Sequence, residues 1–392
     1  MNFDTPIDRR GTLSNKWDDI EAIYGVSPDD GIAMWVADTD FASPDCMQEV
    51  VRKMLDHGVY GYIDAKAESN YHNAICWWME NRHGWSIDPK MIFTVTGLGN
   101  GVGMVLDTFT KPGDGVVLFT PVYHSFARIT RAAGRKVVEC PMVMENGRHT
   151  LDFDAYDQIL DGSEKIVIFC SPHNPGGTVW SVEEQRQVVD FCRKHELLLV
   201  SDEIHHDLVY PGKKHVAMPL AAPECDDILI MLTAPSKTFN IAGTHTGNVI
   251  IPNDDLRKTY RARSMALNLS ENSFGVALTT AAYTPEGAEW VDQLVAYLDR
   301  NRRTLEKGLA AIPGVKPMIN EATYLSWVDF SGTGMGHQEI RDRIFKQAKV
   351  VPNYGKSFGT GGETFMRFNF GTQHAVVEEA VERLQKAFSD LQ

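Results

Sequence analysis

Lys237 stands in Thr233-Ala234-Pro235-Ser236-Lys237-Thr238-Phe239-Asn240, small and apolar residues directly after the apolar run Ile228–Thr233. An ammonium so placed is poorly solvated, and desolvation lowers a lysine's pKa, making it a competent nucleophile and base. Three other apolar runs end on residues of comparable interest. Leu197–Asp202 ends on a carboxylate, costly to bury unless a cation meets it. Lys165–Cys170 leads into Ser171-Pro172-His173-Asn174-Pro175-Gly176-Gly177-Thr178, a stiff loop carrying an amide that can donate. Met91–Thr96 leads into Gly97-Leu98-Gly99-Asn100-Gly101-Val102-Gly103 and then a helical pattern, so backbone N–H groups at a helix start could seat a phosphate. Each feature alone has an ordinary reading as a turn or a solvated side chain.

Together they supply a phosphate seat, an oriented amide, a buried carboxylate and a lysine. Pyridoxal 5′-phosphate requires that set: a lysine for the Schiff base, an acid for the pyridinium nitrogen, a donor for the ring oxygen and a helix terminus for the phosphate. A metal reading of Asp202-Glu203-Ile204-His205-His206-Asp207 is set aside. Alternation along an extended chain splits these side chains between two faces, and no other His/Cys cluster in the sequence completes a site.

The elements that must position these residues follow from hydropathy patterning. The expected strands are Met91–Thr96, Gly115–Phe119, Lys165–Cys170, Leu197–Asp202, Ile228–Thr233 and Thr246–Ile251. Their nearly continuous apolar character fits strands covered on both faces. Amphipathic stretches alternate with them, among them Ser181–His195, which opens on a capping box of Ser181 and Glu184. Such alternation predicts a wound, mostly parallel α/β sheet, with ligands at the carboxyl ends of its strands. After Thr284-Pro285-Glu286-Gly287 the pattern changes to a long polar helix (288–311), a strand (324–330), a helix (337–348), a strand (365–370) and a last helix from 376. This predicts a smaller α+β domain.

The chain has 392 residues and a net charge of −14, from 38 Lys+Arg against 52 Asp+Glu. The acidic balance argues against nucleic acid, whose binding requires a basic patch. No apolar run approaches a bilayer span, and Met1–Pro6 lacks a signal-peptide pattern, so no membrane partner is expected. Six scattered cysteines without a Cys-x-x-Cys pair fit a reducing cytoplasm.

The sequence resembles fold-type I pyridoxal-phosphate enzymes of the class I/II aminotransferase superfamily, and within them the cystathionine β-lyases (C–S lyases) of the MalY/PatB type. The resemblance spans nearly the whole chain. Its most specific pieces are Met34-Trp35-Val36-Ala37-Asp38-Thr39-Asp40-Phe41, Gly58-Val59-Tyr60-Gly61-Tyr62, Thr120-Pro121-Val122-Tyr123-His124 and Asn174-Pro175-Gly176-Gly177, with Asp202-Glu203-Ile204-His205, Ser236–Ile241 and Ala322-Thr323-Tyr324-Leu325. It implies an aspartate aminotransferase-like fold: an N-terminal segment 1–45 joining the small domain, a cofactor domain 46–285 and a small domain 286–392. It implies that Lys237 carries the cofactor and acts as base and acid, that Asp202 pairs with the pyridinium, and that Asn174 bonds the ring oxygen with His205 close by. Tyr123 would stack on the ring, and Gly99, Asn100 and Ser236 would serve the phosphate. Arg367, in Phe365-Met366-Arg367-Phe368-Asn369, would clamp the α-carboxylate of an amino-acid substrate. Tyr62 would reach the phosphate of a partner subunit, implying a homodimer with shared active sites.

The chain departs from the family pattern in two places. His245 replaces the arginine that many aminotransferases place eight residues after the lysine, which leans towards a lyase. Thr372-Gln373-His374 replaces a common Cys-Pro-Arg, which leaves the exact substrate open. The expected activity is β-elimination from cystathionine or a related cysteine S-conjugate to a thiol, pyruvate and ammonia; the alternative on the same residues is transamination.

Overall fold

The computed structural model describes residues 1–391. Seven strands form the main sheet: β1 (Ile92–Val95), β2 (Gly115–Thr120), β3 (Lys136–Pro141), β4 (Glu164–Cys170), β5 (Leu198–Asp202), β6 (Leu229–Thr233) and β7 (Gly247–Ile250). Their order is β1-β7-β6-β5-β4-β2-β3. All run parallel except β7, which is antiparallel to both β1 and β6. Side chains along a strand alternate between faces, and the core divides accordingly. Val116, Leu118, Ile166, Ile168 and Ile230 pack on one face with Val102 and Val105 of α1 (Leu98–Phe109) and Phe126 of α2 (His124–Ala132). Val117, Phe119, Val167, Phe169 and Leu199 pack on the other face with Val188, Val189 and Phe191 of α3 (Val182–Lys194). The capping box at the start of α3 forms as expected: Ser181 Oγ accepts from Glu184 N, and the Glu184 carboxylate accepts from Ser181 N at 2.7 Å.

Strand β3 is absent from the strands expected from hydropathy. Its sequence mixes Lys136 and Glu139 with two valines, and it lies at the sheet edge with most side chains partly exposed. An edge strand needs no continuous apolar run. The hairpin Val143–Glu145/Arg148–Thr150 is a further addition, although its Asn146-Gly147 turn, with φ of +50° and +78°, carries a common hairpin signal. The Thr284-Pro285 break proves to be a helix start. Thr284 caps α4 (Pro285–Ala310), its Oγ1 accepting from Gly287 N at 3.2 Å, and Pro285 takes the first helical position, where a missing N–H costs nothing.

The remaining strands, β8 (Lys316–Pro317), β9 (Leu325–Asp329), β10 (Asn353–Tyr354) and β11 (Phe365–Asn369), form an antiparallel sheet ordered β8-β9-β11-β10. It shares a core with α4 and α5 (His374–Ala387), through Leu298, Leu305, Val377 and Leu384 packed with Leu325, Val328 and Phe368. The N-terminal segment joins it in register: Ile32–Ala33 pairs parallel with Val350–Val351, and Met34 O accepts from Asn369 N at 2.8 Å. No helix among the described residues is long and apolar enough to cross a membrane.

Candidate active site

The carboxyl ends of β4, β5 and β6 and the first turn of α1 open into one cleft, lined by Gly99, Tyr123, Asn174, Asp202, His205, Ser236 and Lys237. Residues from five separate stretches of sequence thus converge at the strand ends. Asp202 ends β5 and is buried; its Oδ1 accepts from Ile204 N at 3.1 Å, and it forms no ion pair among the described residues. Burial pushes its carboxyl up to about 7. Lys237 Nζ donates to Ala37 O at 2.7 Å, and burial, helped by the Arg367 charge, holds its pKa below the usual lysine value. An acid without a cation and an amine bonded only to a carbonyl lie in the same cleft.

The Asn174 loop is tightly held. His173 N donates to Thr178 O at 2.9 Å and Ser171 N to Asp202 O at 2.9 Å, tying the ends of β4 and β5 together. At Gly177 φ is +68° and a Cβ would meet Asn320 Oδ1 at 2.4 Å, so only glycine fits. Asn174 Oδ1 accepts from Arg367 Nη1 at 3.0 Å, which leaves its NH₂ to donate elsewhere. Arg367, at the centre of β11, is nearly fully buried, with Nη2 donating to Trp35 O at 2.7 Å and also to Asn353 Oδ1. It has no carboxylate partner among the described residues, and burial pushes it down to about 10, still protonated at neutral pH. Its Nε has no partner.

His205 is buried with Nδ1 unpartnered; burial, with Lys237 and Arg367 nearby, lowers it to about 3, so it is neutral. Gly97, with φ of +87°, starts α1 without a side-chain cap, which leaves the first-turn N–H groups facing the cleft. Three of the expected residues do not line it: Asn100, Tyr62 and Arg367, the last reaching it only through Asn174. Asn100 turns back, its Oδ1 accepting from Thr96 N at 3.3 Å. Tyr62 is fully exposed on a segment with exposed Val59 and Tyr60. The sequence assigns no role to the Ala37 carbonyl, which accepts from both Lys237 and Tyr324 Oη (3.0 Å), or to Thr246 in the cleft wall. Only folding brings residue 37 to 237; the Met34–Phe41 motif is its sole sequence signal.

The run after Asp202 holds a second surprise. His83, remote in sequence, and His215, in the loop that follows, complete two clusters around His206, one with Asp207 and one with Glu203. The expectation that no other His/Cys cluster completes a site with this run is therefore corrected: helix Ala65–His83 and the loop before Met218 deliver the added histidines.

The family model described as aminotransferase class I and II matches residues 34–384. The chain is 38% identical to cystathionine beta-lyase PatB of Bacillus subtilis (strain 168), over 99% of this chain and 100% of that protein. It is 30% identical to protein MalY of Escherichia coli (strain K12), over 99% and 98%. Among solved structures it is similar to cystalysin from Treponema denticola, which contains a pyridoxal 5′-phosphate cofactor, with a TM-score of 0.93, 34% identity, and coverage of 100% of this chain and 99% of that one.

Proposed function

Since the chain belongs to the aminotransferase class I and II family, we propose that it is a pyridoxal-phosphate-dependent carbon–sulfur β-lyase. It cleaves cystathionine or related cysteine S-conjugates to a thiol, pyruvate and ammonia. The observation that carries this reading is a pair of buried charges at one cleft: Asp202, which lines it beside Lys237 without an ion-pair partner, and Arg367, which has no anion and bonds to Asn174 of the cleft wall. Unpaired buried charge is expensive. It fits a cofactor with a basic ring nitrogen and a substrate with a carboxylate. Full-length similarity to PatB favours elimination over transamination.

When bound, pyridoxal phosphate supplies an aldehyde that condenses with amino groups and a ring that takes up the electron pair of a broken Cα–H bond. Asp202 would pair with a protonated ring nitrogen, which suits a carboxylate whose burial rewards a cationic partner. Asn174 uses its free NH₂ for the ring oxygen while its Oδ1 steadies Arg367. Lys237, with a lowered pKa, removes the α-proton at Nζ and returns it where needed. Arg367 would bind the α-carboxylate through its guanidinium edge and so orient the substrate. Tyr123 would stack on the ring with neutral His205 close by, and Ser236 and the backbone N–H groups of Gly99 and Asn100 would serve the phosphate at the start of α1.

Tyr62 serves the phosphate of a second copy, which accounts for an exposed Val59-Tyr60-Gly61-Tyr62 segment in a single chain. The working enzyme is then a homodimer with shared sites, divided into segment 1–45, cofactor domain 46–285 and small domain 286–392. Six free cysteines suit a cytoplasmic setting. The deciding experiment incubates purified enzyme with cystathionine and no keto acid. Catalytic release of pyruvate and ammonia is expected; only stoichiometric conversion, restored to turnover by a keto acid, would make it a transaminase.

A further inference from the structure

We propose that Glu203, His206 and His215 form a binding site for a divalent transition metal of the zinc class, in the core next to the cofactor cleft. One ligand atom from each lies within 4.8 Å of the other two, and all three side chains are buried. Two imidazole nitrogens and a carboxylate oxygen make a zinc donor set. Around a tetrahedral ion the donor atoms are roughly 3.4 Å apart, so the cluster closes with small side-chain motions.

His206 supplies an independent observation. Both its ring nitrogens lack a hydrogen-bond partner although the residue is buried. An imidazole always presents a donor or an acceptor at each nitrogen, and buried polar atoms are rarely left unmet. A metal on one nitrogen gives that nitrogen its partner. The Glu203 carboxylate is already oriented to ligate. Its Oε1 accepts from Ser201 Oγ at 2.9 Å and Met218 N at 3.0 Å, leaving Oε2 aimed at His215 Nε2, 2.7 Å away. An ion between Oε2 and Nε2 takes the place of the shared proton, which moves to the unpartnered Nδ1 of His215.

The neighbouring cluster of His83, His206 and Asp207 is the poorer seat. Asp207 is already satisfied by Trp78 Nε1 (3.1 Å), Thr238 Oγ1 (2.7 Å) and His83 Nε2 (3.0 Å), and Arg82 Nε lies 3.5 Å from it. An arginine there repels a second cation. His83 instead stacks on the His206 ring at 3.9 Å, and Asp207 Oδ2 lies 3.5 Å from His206 Nε2 without forming a hydrogen bond to it. A bound ion would tie residues 203–215 together just past Asp202 and His205.

The test uses cofactor-loaded protein, dialysed against a chelator and then titrated with zinc chloride. The expected result is one zinc per chain and a rise in unfolding temperature that saturates at one equivalent. His206→Ala and His215→Ala should each lose both. Cobalt(II) in the wild-type protein should give the visible d–d bands of a tetrahedral nitrogen–oxygen site, a readout that holds even if the variants fold poorly. Failure of the wild type to take up either metal stoichiometrically overturns the site, as does uptake that both variants retain.

Discussion

Two groups of buried charge lie on either side of the Ala37–Asp40 backbone, and they are treated in opposite ways. In the N-terminal knot every charge has a partner. Lys16 is fully buried with Nζ 2.7 Å from Asp40 Oδ2, while Arg9 reaches Asp40 and Asp38 at 3.0 Å each. Trp17 Nε1 adds a hydrogen bond to Asp40 at 3.0 Å. At the cleft, Asp202 and Arg367 have no ionic partner among the described residues, and Lys237 has only a carbonyl. Paired buried charges specify how segments meet, whereas unpaired ones store a free-energy cost that a ligand relieves. The same chemistry is structural in one place and functional a few residues away.

The contrast breaks most sharply at Lys237. Lys237→Ala should lower kcat/KM by about 10⁴-fold or more, with the unfolding midpoint unchanged or higher, because a partly desolvated amine is lost. Steady-state kinetics beside a denaturant titration checks both halves. In the knot the pattern reverses. Lys16→Met leaves Asp40 buried with only Arg9 opposing it, and should cost about 3–5 kcal/mol of stability, read from urea unfolding. A neutral result there would mean that the knot is not a structural charge pair.

A subtler test uses Arg367→Met, which keeps volume and removes the cation. It should cut kcat/KM roughly 100-fold, by the loss of charge-assisted bonds to a carboxylate, while the cofactor-free protein keeps or gains stability. A fall in stability as large as that of Lys16→Met would erase the distinction between the two regions.

The smallest effect is in the pH dependence of stability, where the signs differ. Asp40 is held below its ordinary value of 3.8: burial raises it, but Lys16, Trp17 and Arg9 outweigh burial. Its contribution is full above that value and is lost as pH falls towards the depressed folded pKa. Asp202 is raised from 3.8 to about 7, so cofactor-free protein binds more protons folded than unfolded between those values. Its contribution therefore falls as pH rises from about 4 to 7. Asp202→Asn should flatten that decline in thermal melts of the cofactor-free protein; an unchanged slope would assign the decline to other groups.

Much of this is readable along the chain because the signals are local. Continuous apolar runs identify the central strands β2, β4, β5 and β6, and the residues at their ends name the chemistry: Asn174, Asp202 and Lys237 all line the cleft. Edge strand β3 escapes because one side of it faces no partner and so imposes no hydrophobic pattern. The reversed direction of β7 has no sequence signature, since an apolar strand reads alike in either direction. The outward position of Tyr62 is equally hidden, because it depends on what the chain packs against.

The sequence by itself determined the wound α/β class and the family and named the candidate site residues, because strand ends and short motifs act through neighbours in the chain. Only the tertiary structure decided which charges are paired. The carbonyl of Ala37 meets Lys237, Asn353 meets Arg367, and His83 and His215 gather around His206 across gaps that no periodicity spans. Burial and partnership are properties of the packed core. They set whether a carboxylate such as Asp40 stays ionised in a knot or one such as Asp202 awaits a cation.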